Sequence, residues 1–188
     1  MYITNPLFFI LPLALFPGAL SWSPRPSHDR PPPSVAYTYP PLEQIRYTLA
    51  FETFLLDAKD WTALDVIYAH DAVANFTSLG AGVWSGREQI VANEKKALGA
   101  VTHGIHQISS SAILINPGNA SEAHVSSYYS FNRLETKANG SQSVLQTWVR
   151  YEDQWVDTRS YDGSPSSWRV KVRQVTLVGG SVAGSLNI

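Results

Sequence analysis

The chain has 188 residues, 44% of them hydrophobic and 12% aromatic, with a formal net charge of -1. That length suits one domain with tails, and the apolar content is enough for a packed core. Interspersed, nearly balanced charge offers no basic surplus for nucleic acid or an anionic membrane surface, and the absence of cysteine excludes disulfides, thiol nucleophiles and thiolate metal sites.

Residues 1–21 read as a secretory signal. The apolar run from Leu7 to Phe16 is followed by the breakers Pro17 and Gly18, and the small residues Ala19 and Ser21 suit cleavage before Trp22. The run falls short of the ~20 apolar residues of a membrane span. The expectation is a secreted protein with no membrane association after signal removal. Sequons at Asn75, Asn119 and Asn139 are then candidate glycosylation sites. Residues 22–41, with Pro31-Pro32-Pro33, read as an extended linker.

Leu42 to Lys59 reads as a helix, with Pro41 at its first turn. Leu42, Ile45, Leu49 and Leu56 form one apolar stripe, and Tyr47, Ala50, Phe51, Phe54 and Ala58 a second. Thr48, Glu52 and Lys59 are the expected solvent face, which sets Asp57 opposite water, an unusual direction for a carboxylate. Asp60 is a good N-cap for a short second helix carrying Trp61, Leu64, Ile67 and Tyr68. Ala72 to Thr77 reads as a strand. Ser85-Gly86-Arg87-Glu88 reads as a capping box opening a third helix that runs to about Leu98, before Gly99.

Beyond residue 100 the pattern turns to strands. Thr102–Ile115 carries an irregularity near Ser109-Ser110-Ser111. Glu122–Arg133 places Ala123, Val125, Ser127, Tyr129 and Phe131 on one face. After a hairpin turn at Ala138-Asn139-Gly140 comes Val144–Val156. Trp168–Val178 alternates, with Trp168, Val170 and Val172 on one side and Arg169, Lys171 and Arg173 on the other. Residues 179–188 read as a flexible tail. The fold class is α+β: a cone-like curved antiparallel sheet wrapped around a long N-terminal helix, with two further helices and a cavity suited to a small molecule.

Several strings in this order resemble the SnoaL-like branch of the nuclear-transport-factor-2-like superfamily, over residues 42–178. They are Asp57-Ala58-Lys59-Asp60-Trp61, Asp71-Ala72-Val73-Ala74-Asn75-Phe76, the stretch Gly82 to Ile90, Thr102-His103-Gly104-Ile105, Tyr151-Glu152-Asp153 and Trp168-Arg169-Val170. The family includes polyketide cyclase-like and scytalone dehydratase-like proteins. The resemblance implies a working pair of an acid at the end of the first helix and a histidine at the start of a long strand. It puts Asp57 and His103 in those places. Where the family often shows Asp-Tyr this chain has Asn75-Phe76, and the second pocket histidine of scytalone dehydratase has no clear match; Arg133 falls near that position.

Such a pair suits cofactor-free dehydration, cyclisation or isomerisation of a small hydroxylated or polyketide-like substrate. Tyr68, Phe76, Trp84, Tyr128 and Trp148 are candidate substrate-binding walls. His103 and His106 are three apart and face opposite sides of a strand, and parity alone does not say which turns inward. No metal-ligand spacing, phosphate loop or Gly-X-Ser-X-Gly elbow is present, so no metal and no cofactor are expected. A non-catalytic small-molecule carrier and a homodimerising module on the same cone are the alternatives.

Overall fold

The computed structural model describes residues 39–136, 140, 142–159 and 166–186. Residues 1–21, expected to be a signal, residues 22–38 of the expected linker, and Asn139 lie outside the described residues. The described elements are α1 (Pro41–Ala58), a 3₁₀ turn (Ala63–Val66), β1 (Tyr68–Asn75), a second 3₁₀ turn (Thr77–Leu79), β2 (Val83–Ser85) and α2 (Arg87–Leu98). Four long strands follow: β3 (His103–Ile115), β4 (Glu122–Thr136), β5 (Gln142–Asp157) and β6 (Trp168–Leu186). They form one curved, unclosed six-stranded sheet in the order β2-β1-β6-β5-β4-β3. β1 runs parallel to β6, and the other neighbours are antiparallel. The architecture is the expected α+β cone.

α1 buries the first of its two apolar stripes at Ile45, Leu49 and Leu56 but turns most of the second outward. Ile45, Thr48, Leu49, Glu52, Thr53, Leu55 and Leu56 are buried, whereas Phe54 is 68% exposed and Tyr47 also faces water. The expected solvent face therefore turns inward at Thr48 and Glu52. The reason is charge pairing: a buried arginine, Arg173, meets Glu52, so the carboxylate enters the interior with its compensating partner. Tyr47 and Phe51 stack on each other on the outer side of the helix, ring centroids 5.4 Å apart.

Local rules account for the helix ends. Lys59 adopts the left-handed conformation (φ 57°). Its N–H reaches Leu56 O at 3.2 Å and that of Asp60 reaches Leu55 O at 2.9 Å, the paired closure of a Schellman turn. The Asp60 carboxylate accepts the Ala63 N–H at 3.0 Å, but what it starts is a single 3₁₀ turn, not an α-helix. At α2 the N-cap is Gly86, whose φ of 87° a serine adopts poorly. The expected capping box is replaced by Gln89, which accepts the Ser85 N–H at 2.6 Å.

One bulge reorganises β6. Gln154 faces Val172 while the next residue, Trp155, faces Val170, so Lys171 is an extra residue in the ladder. Without it, Arg173 would share the outer face with Lys171. With it, Trp168, Val170, Arg173 and Val175 all lie in the interior. Arg169 is buried too, donating from Nη1 to Ser166 O and Trp168 O. β6 then runs through the segment expected to be a tail, pairing Leu186 with Gln142. The expected irregularity in β3 is present as a register shift between Ile108 and Ser110.

Candidate functional site

The last turn of α1 presents Asp57 to the start of β3. Its partner there is His106, not His103. His106 Nδ1 lies 2.7 Å from Asp57 Oδ1, and the His106 backbone N–H reaches both carboxylate oxygens at 3.1 Å. The correction follows from strand alternation: Gly104, His106 and Ile108 turn inward while His103, Ile105 and Gln107 are exposed. His103 still lines a small cleft of about 330 Å³ beside Asp57, Lys59 and His106, but on its outer side. Lys59 Nζ ties this end of α1 to the carbonyls of Gly99 and Val101, which holds Asp57 against the strand.

Phe131 fixes the imidazole. His106 and Phe131 face each other across β3 and β4, and the His106 N–H is spent on Asp57, so theirs is a non-hydrogen-bonded pair with close side chains. The rings stack with centroids 4.2 Å apart. Gly104 makes room for this: a Cβ there would lie 2.6 Å from Phe131 Cε2. With Nδ1 bound to the carboxylate, Nε2 is the ring nitrogen left for a ligand.

His106, Leu56, Leu98 and Phe131 also border a cavity of about 470 Å³, within the range for small-ligand sites. Phe76 and Trp84 lie on its wall, stacked at 4.4 Å. The other three expected wall residues do not. Tyr68 is fully buried in the interior, where it donates to Glu94 Oε1 at 2.7 Å. Tyr128 and Trp148 lie on the outer face of the sheet because their neighbours Tyr129 and Val149 take the inner positions. Trp148 lies across Gly179, whose missing side chain leaves the space.

Behind the cavity is a polar cluster that sequence reasoning missed. Arg173 donates to Asp153 Oδ2 at 2.8 Å and to Glu52 Oε2 at 3.1 Å, and its guanidinium sits 4.4 Å from the Tyr151 ring centroid. Arg173, Asp153 and Glu52 are shielded from water, and Tyr151 is part-buried on the cavity wall. Burial raises the Asp153 carboxyl, opposed by the Arg173 charge beside it. Glu94, on the cavity wall, is pushed up to about 8, by burial first and then by the nearby Glu52 charge. The signal for Glu94 was present: with Ile90 and Leu98 it shares one face of α2 at four-residue spacing. Nothing local marked Arg173, whose direction depends on the bulge.

Of the sequons, Asn119 is exposed in a turn and accepts the Ser121 N–H, while Asn75 is half-buried and accepts the Thr77 N–H. On the outer face Ser126 and His124 both bind one oxygen of Glu152, at 2.5 and 3.0 Å. That is not a triad, because the histidine does not stand between serine and acid.

The family model of the SnoaL-like domain matches residues 42–174. No curated protein matches the chain. Among solved structures, a proposed aromatic ring hydroxylase from Novosphingobium aromaticivorans is 15% identical, with TM-score 0.59, covering 78% of this chain and 96% of its own. A proposed scytalone dehydratase from the same organism is 18% identical, with TM-score 0.57 and coverages of 78% and 88%. A hexachlorocyclohexane dehydrochlorinase is 14% identical, also with TM-score 0.57 and coverages of 78% and 88%. These likenesses concern the fold.

Proposed function

We infer, because the chain belongs to the SnoaL-like domain family, that it is a lyase, cyclase or isomerase working without a cofactor on a small oxygenated molecule held in the cone. The observation that carries this is the Asp57–His106 hydrogen bond at the border of the cavity. Asp57 directs the Nδ1 proton toward itself, so the Nε2 lone pair is the base. It removes a proton from a carbon made acidic by a neighbouring carbonyl, and Asp57 offsets the imidazolium charge that forms. In an elimination the electron pair of that C–H bond becomes the new double bond, and the group on the adjacent carbon leaves with its own pair. Loss of water or of chloride fits this scheme, in keeping with the dehydratase and dehydrochlorinase folds to which the chain is similar.

The test is turnover of a panel of hydroxylated polyketides and sesquiterpenes by wild type, His106→Ala, Asp57→Asn and His103→Ala. A placed base contributes roughly 10²–10⁴-fold, so His106→Ala should lose that much and His103→Ala little. Equal turnover by wild type and His106→Ala rules the mechanism out. A carrier function is the second reading, favoured by the stacked apolar wall of Phe76 and Trp84; tight binding by wild type without conversion would establish it. Secretion stays part of the proposal, supported by the apolar run Leu7–Phe16. Mass spectrometry of the exported protein tests it, and an intact Met1 would count against it.

A further inference from the structure

Two phenols line the cavity, Tyr129 and Tyr151, and their hydroxyls are used differently. The Tyr129 hydroxyl donates to Glu52 Oε2 at 3.3 Å. Tyr151 shares the inner face of β5 with Val149 and Asp153 and stacks on Tyr129, ring centroids 4.4 Å apart. Its hydroxyl has no hydrogen-bond partner among the described residues. Nor is that oxygen sealed: the buried polar atoms left unpaired include Glu94 Oε2 and Ser127 Oγ, but not this one. An accessible, unpaired phenol oxygen on the cavity wall meets whatever fills the cavity. Burial holds this phenol above its ordinary value, against the Arg173 charge beside its ring, so what it offers at neutral pH is an O–H.

The register of the sheet puts Tyr151 well away from the base. His106 faces Phe131, and Phe131 faces Thr147 on the next strand. Tyr151 lies four residues further along β5, roughly 13 Å in the strand direction. Beyond it the interior is filled by Asp153, Trp155 and Arg173, so Tyr151 belongs to the floor of the cavity. The geometry points to Tyr151 as the hydrogen-bond donor to an oxygen at the leading end of the cavity ligand, which sets which way round that molecule sits. This rests on the reading that the cavity takes a small molecule, and it narrows the class. A molecule that touches both the floor and His106 is a ring system long enough to span the cavity, with a carbonyl or hydroxyl at the end that enters first. A plain hydrocarbon of the same shape leaves the phenol unpaired.

The test is binding of 2-acetylnaphthalene, ¹³C-labelled at its carbonyl, and of its hydrocarbon analogue 2-ethylnaphthalene to wild type, Tyr151→Phe and His106→Ala. Tyr151→Phe keeps the ring against Tyr129 and Arg173 and removes only the hydroxyl. It should weaken the ketone about five- to tenfold and leave the hydrocarbon unchanged. The bound carbonyl signal should move upfield in Tyr151→Phe, as it does when a carbonyl loses a hydrogen-bond donor. His106→Ala should keep the wild-type ratio of the two affinities, because the oxygen sits at the other end. The urea midpoint of Tyr151→Phe should match wild type, since the hydroxyl bonds nothing in the fold; a lowered midpoint overturns the proposal. A wild-type affinity ratio or an unmoved carbonyl signal in Tyr151→Phe overturns this proposal alone, as does a ratio lost in His106→Ala. Failure of wild type to bind either probe overturns the cavity reading, and this proposal with it.

Discussion

A carboxyl group that stays protonated in the folded protein ties stability to pH, and Glu94 gives this link a definite sign. Its folded pKa, about 8, lies above the ordinary glutamate value. Between about 4.5 and 8 the native state therefore binds a proton that the unfolded state has released. Stability from this group is fully present below that window and falls as pH rises through it, by up to about 1.4 kcal/mol per pH unit. Asp71 and Glu152, both held low by hydrogen-bonded partners, Lys171 for the first and Ser126 then His124 for the second, change in the opposite direction at lower pH. The clean measurement is therefore a difference. Urea unfolding of wild type and Glu94→Gln at pH 5.5, 7 and 8.5 should show wild type losing ground to the variant at each step. Parallel pH profiles would mean Glu94 titrates normally. The site histidine also belongs at this scale. The sequence places a histidine and an acid near each other, but two histidines of opposite parity lie within four residues of one strand, with an isoleucine on each face, Ile105 and Ile108. Only the carboxylate of α1, by taking the His106 N–H, decides between them.

At the scale of elements, most boundaries were legible because caps, turns and period-2 runs are local. The faces of α1 and β6 were not, because each depends on a distant partner. Glu52 turns inward only because β6 offers Arg173, and Arg173 turns inward only because Lys171 is an extra residue in the ladder. Deleting Lys171 removes the bulge and forces one half of the strand onto the wrong face. It should abolish cooperative unfolding, seen as loss of a sigmoidal urea transition followed by tryptophan fluorescence. Gly104 gives a milder test. An alanine Cβ there meets Phe131 Cε2 at 2.6 Å and Cζ at 2.9 Å, so the ring must leave its place over His106. Gly104→Ala should cost about 1–3 kcal/mol in urea unfolding, and adding Phe131→Leu should recover much of it. An unperturbed Gly104→Ala protein would mean the stack is loose.

For the whole molecule, the buried cluster does what disulfides do in many small exported domains. Arg173 joins α1 through Glu52 and β5 through Asp153, and donates to Tyr68 of β1. Removing the cation strands two buried carboxylates, so Arg173→Met should cost about 3–5 kcal/mol at neutral pH, read from urea unfolding. Combining it with Glu52→Gln and Asp153→Asn should return part of the loss. If the single variant is as stable as wild type, the cluster does not hold the elements together. The family strings disclosed this overall architecture because their order follows the order of the elements. They could not disclose the cluster, since its members come from four separate segments.

Asp57 also stands at an open border of the sheet. β3 is an edge strand, with β4 on one side and, among the described residues, no strand on the other. An exposed ladder of that kind can recruit a second chain. By accepting the outward N–H of His106, the carboxylate closes part of that edge with a charged side chain. Removing Asp57 thus opens a place where chains can add to one another. Activity lost in an Asp57 variant is therefore best compared at several protein concentrations. A loss intrinsic to the site is the same at all of them, whereas a loss through strand addition deepens as the chains become crowded.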